Sequence, residues 1–195
     1  MSILRLTIIN QLVLNPSISS IFMDNSHDIP ELENFSAKEV YAFFGLAAFS
    51  AQVLEKTLVN LVVTFKTCGL PITRSIFDEI FDAHDSRTLG QLLRTARDQK
   101  IPIPAKTDGV LRMALEKRNY LNHDFFADHA GHFMTEAGRK TMLRRLTKLI
   151  LLFKEANCQC EPIYRPLLER KGVSEEMLKT LAKKFIESAA QDKET

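Results

Sequence analysis

The residues Arg118 to His123, with the sequence RNYLNH, combine side chains that can act on a phosphate group. Arginine is a permanent cation that directs two donors onto phosphate oxygens, and histidine is the side chain that ordinarily titrates near neutrality. Such a pair can hold a phosphate and move a proton beside it. Asn119 can orient the imidazole or a phosphate through its amide. Tyr120 could stack on a base or pack inside the protein, and we favour packing.

The spacing of this pair limits how it can act. The stretch lies where a strongly helical pattern ends, and residues five apart on a continuous helix are rotated by roughly 140°. Arg118 and His123 would then lie on different faces. Unwinding before His123, or a dimer in which each histidine faces the partner's arginine, would bring the two groups together. The alternative interpretation is structural, because cations also stabilise the carbonyl end of a helix.

An arginine, a small polar residue, three further residues and a histidine resemble the signature motif of the HEPN superfamily. The similarity extends over about Ser36 to Asn157 in the order of the helices. It implies an up-and-down helical bundle of about five to six helices that forms a homodimer, with the two motifs meeting at the interface. It also implies a metal-independent endoribonuclease with RNA as substrate and no cofactor. The residues carried over as catalytic are Arg118, Asn119 and His123.

The chemistry implied for RNA needs few protein groups. The 2′-hydroxyl is the nucleophile, so the enzyme must take its proton, protonate the leaving oxygen and stabilise the phosphorane. We assign proton transfer to His123 and phosphate stabilisation to Arg118. A toxin or defence role would add a cognate inhibitor protein as a partner. The rival interpretations are a non-catalytic module that binds RNA or protein, and a purely structural helical dimer.

Basic residues are concentrated in the C-terminal third of the chain. The net charge is only +2, but residues 1–138 contain 13 basic and 16 acidic residues, whereas residues 139–184 contain 12 basic and 5 acidic residues. A cationic surface of this kind can guide a phosphate backbone. The best candidates for nucleic-acid binding are Arg144, Arg145 and Lys148. The alternative is a solvated helix face without a ligand.

The other histidines give weaker signals. His129 and His132 could ligate a metal together with Asp124 or Asp128, but the segment from Asp124 to Met134 is predicted to be a loop or a turn of helix. We therefore expect no metal site. The two remaining histidines lie among acidic residues and are predicted to be surface groups; they are His27 and His84.

Three cysteines do not form a disulfide framework, and the Cys158-x-Cys160 pair lacks the further ligands of a zinc site. The expected compartment is the reducing cytoplasm. No apolar run is predicted to be long enough to span a membrane, and no membrane association is expected. The apolar segment from Met1 to Phe22 is a poor secretory signal, and Met23 is an alternative translation start.

Periodicity and capping residues predict an all-α fold in three regions: a poorly defined N-terminal extension at 1–35, a helical bundle at 36–157, and a connector with a C-terminal amphipathic helix packed on the same domain at 158–195. Ser36, Ser86, Asp108, Thr135 and Ser174 are predicted N-caps. The predicted helices are 36–67, 73–83, 87–99, 109–122, 135–157 and 174–190, and the connector at 158–171 is predicted to be irregular because it contains Pro162 and Pro166.

Overall fold

The computed structural model describes residues 29–30, 34–68, 79–80, 82–84, 86–170 and 172–191. Within these residues the secondary structure is entirely helical, which confirms the prediction of an all-α helical bundle. Residues 79–80 and 82–84 are also helical, and the rest of the predicted helix 73–83 lies outside the described residues. The helices are α1 (Ala37–Lys66), α2 (Leu89–Asp98), α3 (Ala105–His123), α4 (Phe125–Asp128), α5 (Ala130–Phe133), α6 (Glu136–Arg170) and α7 (Glu175–Gln191).

The chain forms two compact units. The motif unit consists of the described residues within Ser26–Leu54 and Ile103–Asn157, and the second unit consists of the described residues within Glu55–Pro102 and Cys158–Thr195. Both long helices, α1 and α6, therefore contribute to each unit. The predicted domain limits at residues 35 and 157 stay a prediction.

Helix α1 begins at the predicted capping box. The backbone N–H of Ser36 donates to Glu39 Oε2 at 2.8 Å, and the backbone N–H of Glu39 donates to Ser36 Oγ at 3.2 Å. Two amides without helical partners are thereby satisfied. In the motif unit the inward face of α1 is fully buried and forms the core with α3 and α6; its members on α1 are Val40, Phe43, Ala47, Ala51 and Leu54.

In the second unit, α2 begins two residues later than predicted. Thr88 is its N-cap, and its hydroxyl accepts from the backbone N–H of Gln91 in a complete capping box. The prediction of Ser86 as the cap was wrong because Thr88 is the residue with a glutamine three positions later, which completes the reciprocal bond. The helix ends where Lys100 adopts a left-handed conformation (φ 53°), which allows the N–H of Ile101 to reach the carbonyl of Ala96.

Helix α3 begins four residues earlier than predicted. Pro104 precedes its first residue, and the N–H of Asp108 donates to the Pro104 carbonyl, so Asp108 lies inside the first turn rather than at the N-cap. Its carboxylate instead forms an ion pair with Arg112 one turn later. The prediction failed because an acidic residue near a helix start stabilises the first turn as well as the cap position. The segment 101–104 is non-helical, as its two prolines predicted.

The largest difference between the predicted and the observed helices concerns α6. It runs for 35 residues and continues through Pro162 and Pro166, so the predicted irregular connector at 158–171 was wrong. Each proline removes one helical hydrogen bond, but both are exposed, and the opposite face remains buried at Cys160 and Tyr164. Burial along that face therefore offsets a cost of about 3 kcal/mol per proline. Glu161 and Arg165 add an ion pair along the same stretch.

The remaining caps agree with the sequence. Thr135 Oγ1 accepts from the N–H of Gly138 at 3.1 Å at the start of α6, and Ser174 Oγ accepts from the N–H of Met177 at 3.1 Å at the start of α7. Gly138 has a second role, because a Cβ at this position would lie 2.0 Å from the backbone oxygen of His132. The start of α6 therefore packs directly on the backbone of α5.

One helix among the described residues is long and apolar enough to cross a membrane by length and composition, which corrects the expectation that no such run exists. It is α1, and 67% of its most apolar window is buried within the protein. The core helix of a soluble protein passes the same test, so this feature is weak evidence for a membrane.

Candidate functional site

The candidate site occupies the last two turns of α3. The helix stays regular through His123, and the N–H of Asp124 still donates to the carbonyl of Tyr120. The unwinding that would have brought Arg118 and His123 together is therefore not observed. The two residues are rotated by roughly 140° about the helix axis.

Arg118 lies on the same face of α3 as the buried residues Leu111, Ala114 and Leu121, and it is only half-exposed. Positions 111, 114, 118 and 121 recur at three- and four-residue steps, so the aliphatic stem of the arginine follows the edge of the core. His123 lies on the opposite side and is exposed. The structure thus separates the cation from the imidazole within one chain.

Asn119 links the two positions. It is four residues before His123, so both side chains lie on one exposed face of the helix. Its Oδ1 accepts from Arg118 Nη1 at 3.3 Å. Because the amide oxygen faces the guanidinium, the amide nitrogen keeps two donors for a phosphate or for an imidazole. Asn119 therefore contacts Arg118 and also lies on the same helix face as His123.

Tyr120 packs against its neighbours, as we predicted from the sequence. Its ring meets Phe125 edge-on at 6.0 Å, and its hydroxyl lies 3.3 Å from His129 Nδ1. Both contacts bind the end of α3 to α4 and α5, which follow it. A role of Tyr120 in stacking on a base is not supported by this placement.

His129 is a core residue, and its environment was not evident from the sequence. It is 2% exposed, its ring stacks on Phe125 at 4.8 Å and 10°, and its Nδ1 lies 2.9 Å from the Phe125 carbonyl. The carbonyl requires a proton on Nδ1, which leaves Nε2 as a buried acceptor; among the described residues it has no hydrogen-bond partner. Burial lowers the pKa of His129, and the positive charge of Arg145 lowers it further.

The alternative of a metal at His129 and His132 finds no support in this geometry. The Nδ1 atom of His129 lies 2.9 Å from the Phe125 carbonyl, so this nitrogen is committed to a backbone hydrogen bond. In the part of the chain that the structure describes, no three His, Cys, Asp or Glu side chains form a group that could hold a metal ion.

His84 was predicted to be a surface group, and this was wrong. It is 2% exposed, and its Nδ1 lies 2.8 Å from the carbonyl of Ile80. Burial lowers its pKa, and the cations Lys66 and Arg87 act in the same direction. The acidic neighbours in sequence misled the prediction because they do not report which face of a helix is buried. His27 lies outside the described residues.

The two cysteines of the C-x-C pair occupy different environments on α6. Cys158 is exposed, and Cys160 is buried. Burial raises the pKa of the Cys160 thiol to about 12, so this thiol stays protonated at neutral pH and is a poor nucleophile.

The predicted nucleic-acid-binding residues share a surface. Arg144, Arg145 and Lys148 are all exposed and lie within an arc of roughly 100° on α6. No acidic residue occurs between Glu136 and Glu155, a stretch that contains six basic residues. This part of α6 belongs to the motif unit, as does the end of α3.

A depression beside α5 does not include the motif. Its lining is mixed in polarity and comes from α4, α5 and the first turns of α6; the residues are Asp128, Gly131, His132, Thr135, Ala137, Gly138 and Thr141. None of these lining residues belongs to the segment from Arg118 to His123, so the depression does not extend the candidate site.

Comparison with known proteins found no match: neither a family model, nor a curated protein, nor a solved structure is similar to this chain. The functional interpretation therefore depends on the residues of the motif and on their geometry.

Proposed function

We propose that the protein is a metal-independent endoribonuclease of HEPN type with a composite site at a homodimer interface. The observation that carries the proposal is the arrangement at the end of α3, where Asn119 and His123 share one exposed face and Arg118 is hydrogen-bonded to Asn119. These groups are the donors and the proton carrier that cleavage by a 2′-hydroxyl needs. A toxin or defence role with a cognate inhibitor protein belongs to the same proposal, as does a cytoplasmic location.

The separation of Arg118 from His123 supports the composite form of the site. Because the helix is continuous, one chain presents its cation and its imidazole to different sides. A second copy related by a two-fold axis would place its own arginine opposite the first histidine. The dimer would then have the two segments from Arg118 to His123 near the axis.

Cleavage of a structured RNA in EDTA tests the activity. We expect His123→Ala to lower the rate by about 10²–10⁴, the range typical for loss of a general acid or base. Arg118→Ala should lower it as well, and products should carry 2′,3′-cyclic phosphate ends. His132→Ala is the matched control, because His132 is also exposed but lies on α5 outside the motif. Equal cleavage by wild type and His123→Ala would refute catalysis and favour the RNA- or protein-binding module of the same fold.

Mixing two inactive variants tests the composite arrangement. A heterodimer of Arg118→Ala and His123→Ala chains contains one site with an arginine from one chain and a histidine from the other. Random mixing should restore about a quarter of the wild-type sites, because half of the dimers are mixed and each has one intact site. Activity that stays at the level of the separate variants contradicts pairing between chains, and light scattering of a monomer contradicts the dimer.

A further inference from the structure

Three aromatic rings form a surface in the motif unit that the proposed site does not use. We call Tyr41, Phe126 and Phe133 the aromatic ledge. The centroid of Tyr41 lies 5.8 Å from that of Phe126 and 5.4 Å from that of Phe133, and the two phenylalanines are 6.2 Å apart. Tyr41 is 58% exposed, and the other two rings are partly exposed. The three rings contact one another, so they form one continuous aromatic surface rather than isolated exposed side chains.

The ledge is held in place from below. Phe126 packs on Phe44 at 4.9 Å and on Phe125 at 5.6 Å. Phe125 is 1% exposed and stacks on the buried His129. The rings of the ledge are therefore supported by a packed aromatic core and lose little conformational freedom when a flat ligand covers them.

Cations border the ledge. Lys38 is exposed and lies one turn before Tyr41 on the same face of α1. On the other side, Lys140 places its Nζ 4.8 Å from the ring centroid of Phe35.

Backbone contacts tie this second cation to the ledge. Arg139 donates through Nε to the carbonyl of Phe35 at 2.7 Å and through Nη1 to the carbonyl of Phe133 at 3.1 Å. Phe35 adopts a left-handed conformation (φ 47°), which is rare for a phenylalanine and is held here by the bond to Arg139. Phe35, and with it Lys140, is therefore fixed beside Phe133.

We propose that the aromatic ledge stacks unpaired bases of single-stranded RNA, while Lys38 and Lys140 contact the neighbouring phosphates. This inference rests on the proposed function in so far as RNA is the ligand. Sites for single strands combine stacking aromatic rings with cations that follow the backbone, and every base offers a face to a ring. A base-paired helix keeps its bases stacked within the duplex, so the ledge selects unpaired segments.

A second copy of the chain is the other candidate to cover the ledge, and the charges argue against it. An interface centred on the ledge would bring Lys38 and Lys140 of one chain towards the same pair of lysines of the second copy. Like charges at short distance oppose such a contact. A polyanion satisfies the same cations, so the observations favour nucleic acid.

Tyrosine fluorescence reports on the ledge directly. The chain has no tryptophan and three tyrosines. Of these, Tyr164 is buried, Tyr120 is half-exposed beside His129, and Tyr41 is the exposed one. A base stacked on Tyr41 should quench its emission, so the full-length protein needs no label for this measurement.

The test titrates the full chain with a fluorescently labelled 12-mer of 2′-O-methyl uridine, which has no free 2′-hydroxyl and is not a substrate for the proposed reaction. Wild type should show tyrosine quenching and a rise in anisotropy. Tyr41→Leu removes the reporting ring, so its binding is read from the anisotropy, and it should bind about 5- to 150-fold more weakly, as expected for the loss of one stacked base. Phe49→Leu is the matched control, because Phe49 is also an exposed aromatic of α1 but lies two turns from the ledge. Tyr41→Phe keeps the ring and should keep the affinity.

Three results would overturn the inference. Tyr41→Leu and wild type could bind the 12-mer equally, or an RNA duplex could bind to the ledge as tightly as the single strand. Light scattering could also show that Tyr41→Leu, but not Phe49→Leu, separates a dimer, which would assign the ledge to a second copy. Failure of the proposed function can be distinguished from failure of this inference. Binding through Tyr41 without any RNA cleavage refutes the ribonuclease activity alone. Cleavage by Tyr41→Leu with an unchanged KM refutes RNA binding by the aromatic ledge alone.

Discussion

His123 and His129 lie six residues apart and show how the environment divides one residue type between two roles. His123 ends α3 on an exposed face next to Asn119, whereas His129 is enclosed by Phe125 and Tyr120 and is 2% exposed. Exposure leaves an imidazole available to exchange protons with a ligand. Burial instead commits it to one tautomer and lowers its pKa. The two histidines are therefore neighbours in sequence but lie in opposite environments, which residue type and spacing alone do not distinguish.

The strongest way to break this comparison is to remove the support of the buried region. Phe125→Ala deletes a ring that contacts Phe44, Phe126, Tyr120 and His129. We expect the free energy of unfolding to fall by about 3–5 kcal/mol, measured by urea denaturation. Asn122→Ala is the control, because Asn122 is exposed near the end of α3, and surface changes of this kind usually stay within about 0.5 kcal/mol. Equal midpoints for the two variants would contradict a structural role of the buried region.

A smaller effect is expected where α6 meets α5. Gly138→Ala places a Cβ 2.0 Å from the backbone oxygen of His132, so the backbone must move. Overpacking of this kind costs about 1–3 kcal/mol, which thermal denaturation can measure. Gly131→Ala is matched to it, because the added Cβ would meet nothing within 4 Å, and this variant should keep or raise the stability of α5. A wild-type melting temperature for Gly138→Ala would show that the two helices are not in direct backbone contact.

Burial of His129 should make the free energy of unfolding depend on pH in the acidic range. Burial lowers the pKa of His129 below the usual 6.5, so below pH 6.5 the unfolded chain binds a proton that the folded chain does not. The corresponding stability is present above pH 6.5 and is lost as the pH falls towards the folded-state pKa. His129→Phe should therefore flatten the fall in stability at acidic pH, and His84 accounts for part of what remains because its pKa is lowered too. An acid slope that stays unchanged in His129→Phe would contradict the buried assignment.

The smallest effect concerns the exposed basic face of α6. Replacing Arg144, Arg145 and Lys148 with Gln should weaken RNA binding and lower the salt slope of the affinity by about 2, because each phosphate contact on a single strand contributes about 0.7. The fold should remain intact, since all three side chains are exposed. The control changes Lys183 and Lys184, exposed lysines on α7, to Gln. An unchanged slope in the triple variant would show that the face is only solvated.

Local sequence patterns were sufficient to predict the helical class and the places where most helices begin. Local hydrogen bonds or local sterics set four of these boundaries, so the local pattern was sufficient to predict them. They are the S-x-x-E capping box at Ser36, the N-caps Thr135 and Ser174, and the non-helical segment 101–104 with its two prolines. The candidate residues Arg118, Asn119 and His123 were chosen from residue type and spacing alone, and their role stays a prediction.

Which residues near the motif are buried depends on long-range packing and could not be predicted from local sequence. Nothing local distinguishes His129 and His84 from exposed histidines, since their burial comes from rings and helices that pack on them. Long-range packing also explains the length of α6. Burial of Cys160 and Tyr164 stabilises the helix across Pro162 and Pro166. The aromatic ledge joins α1 to residues that lie 85 and 92 positions after Tyr41, at Phe126 and Phe133. Packing between distant segments is a long-range property, and it overrides local preference wherever the buried area stabilises more than the local conformation costs.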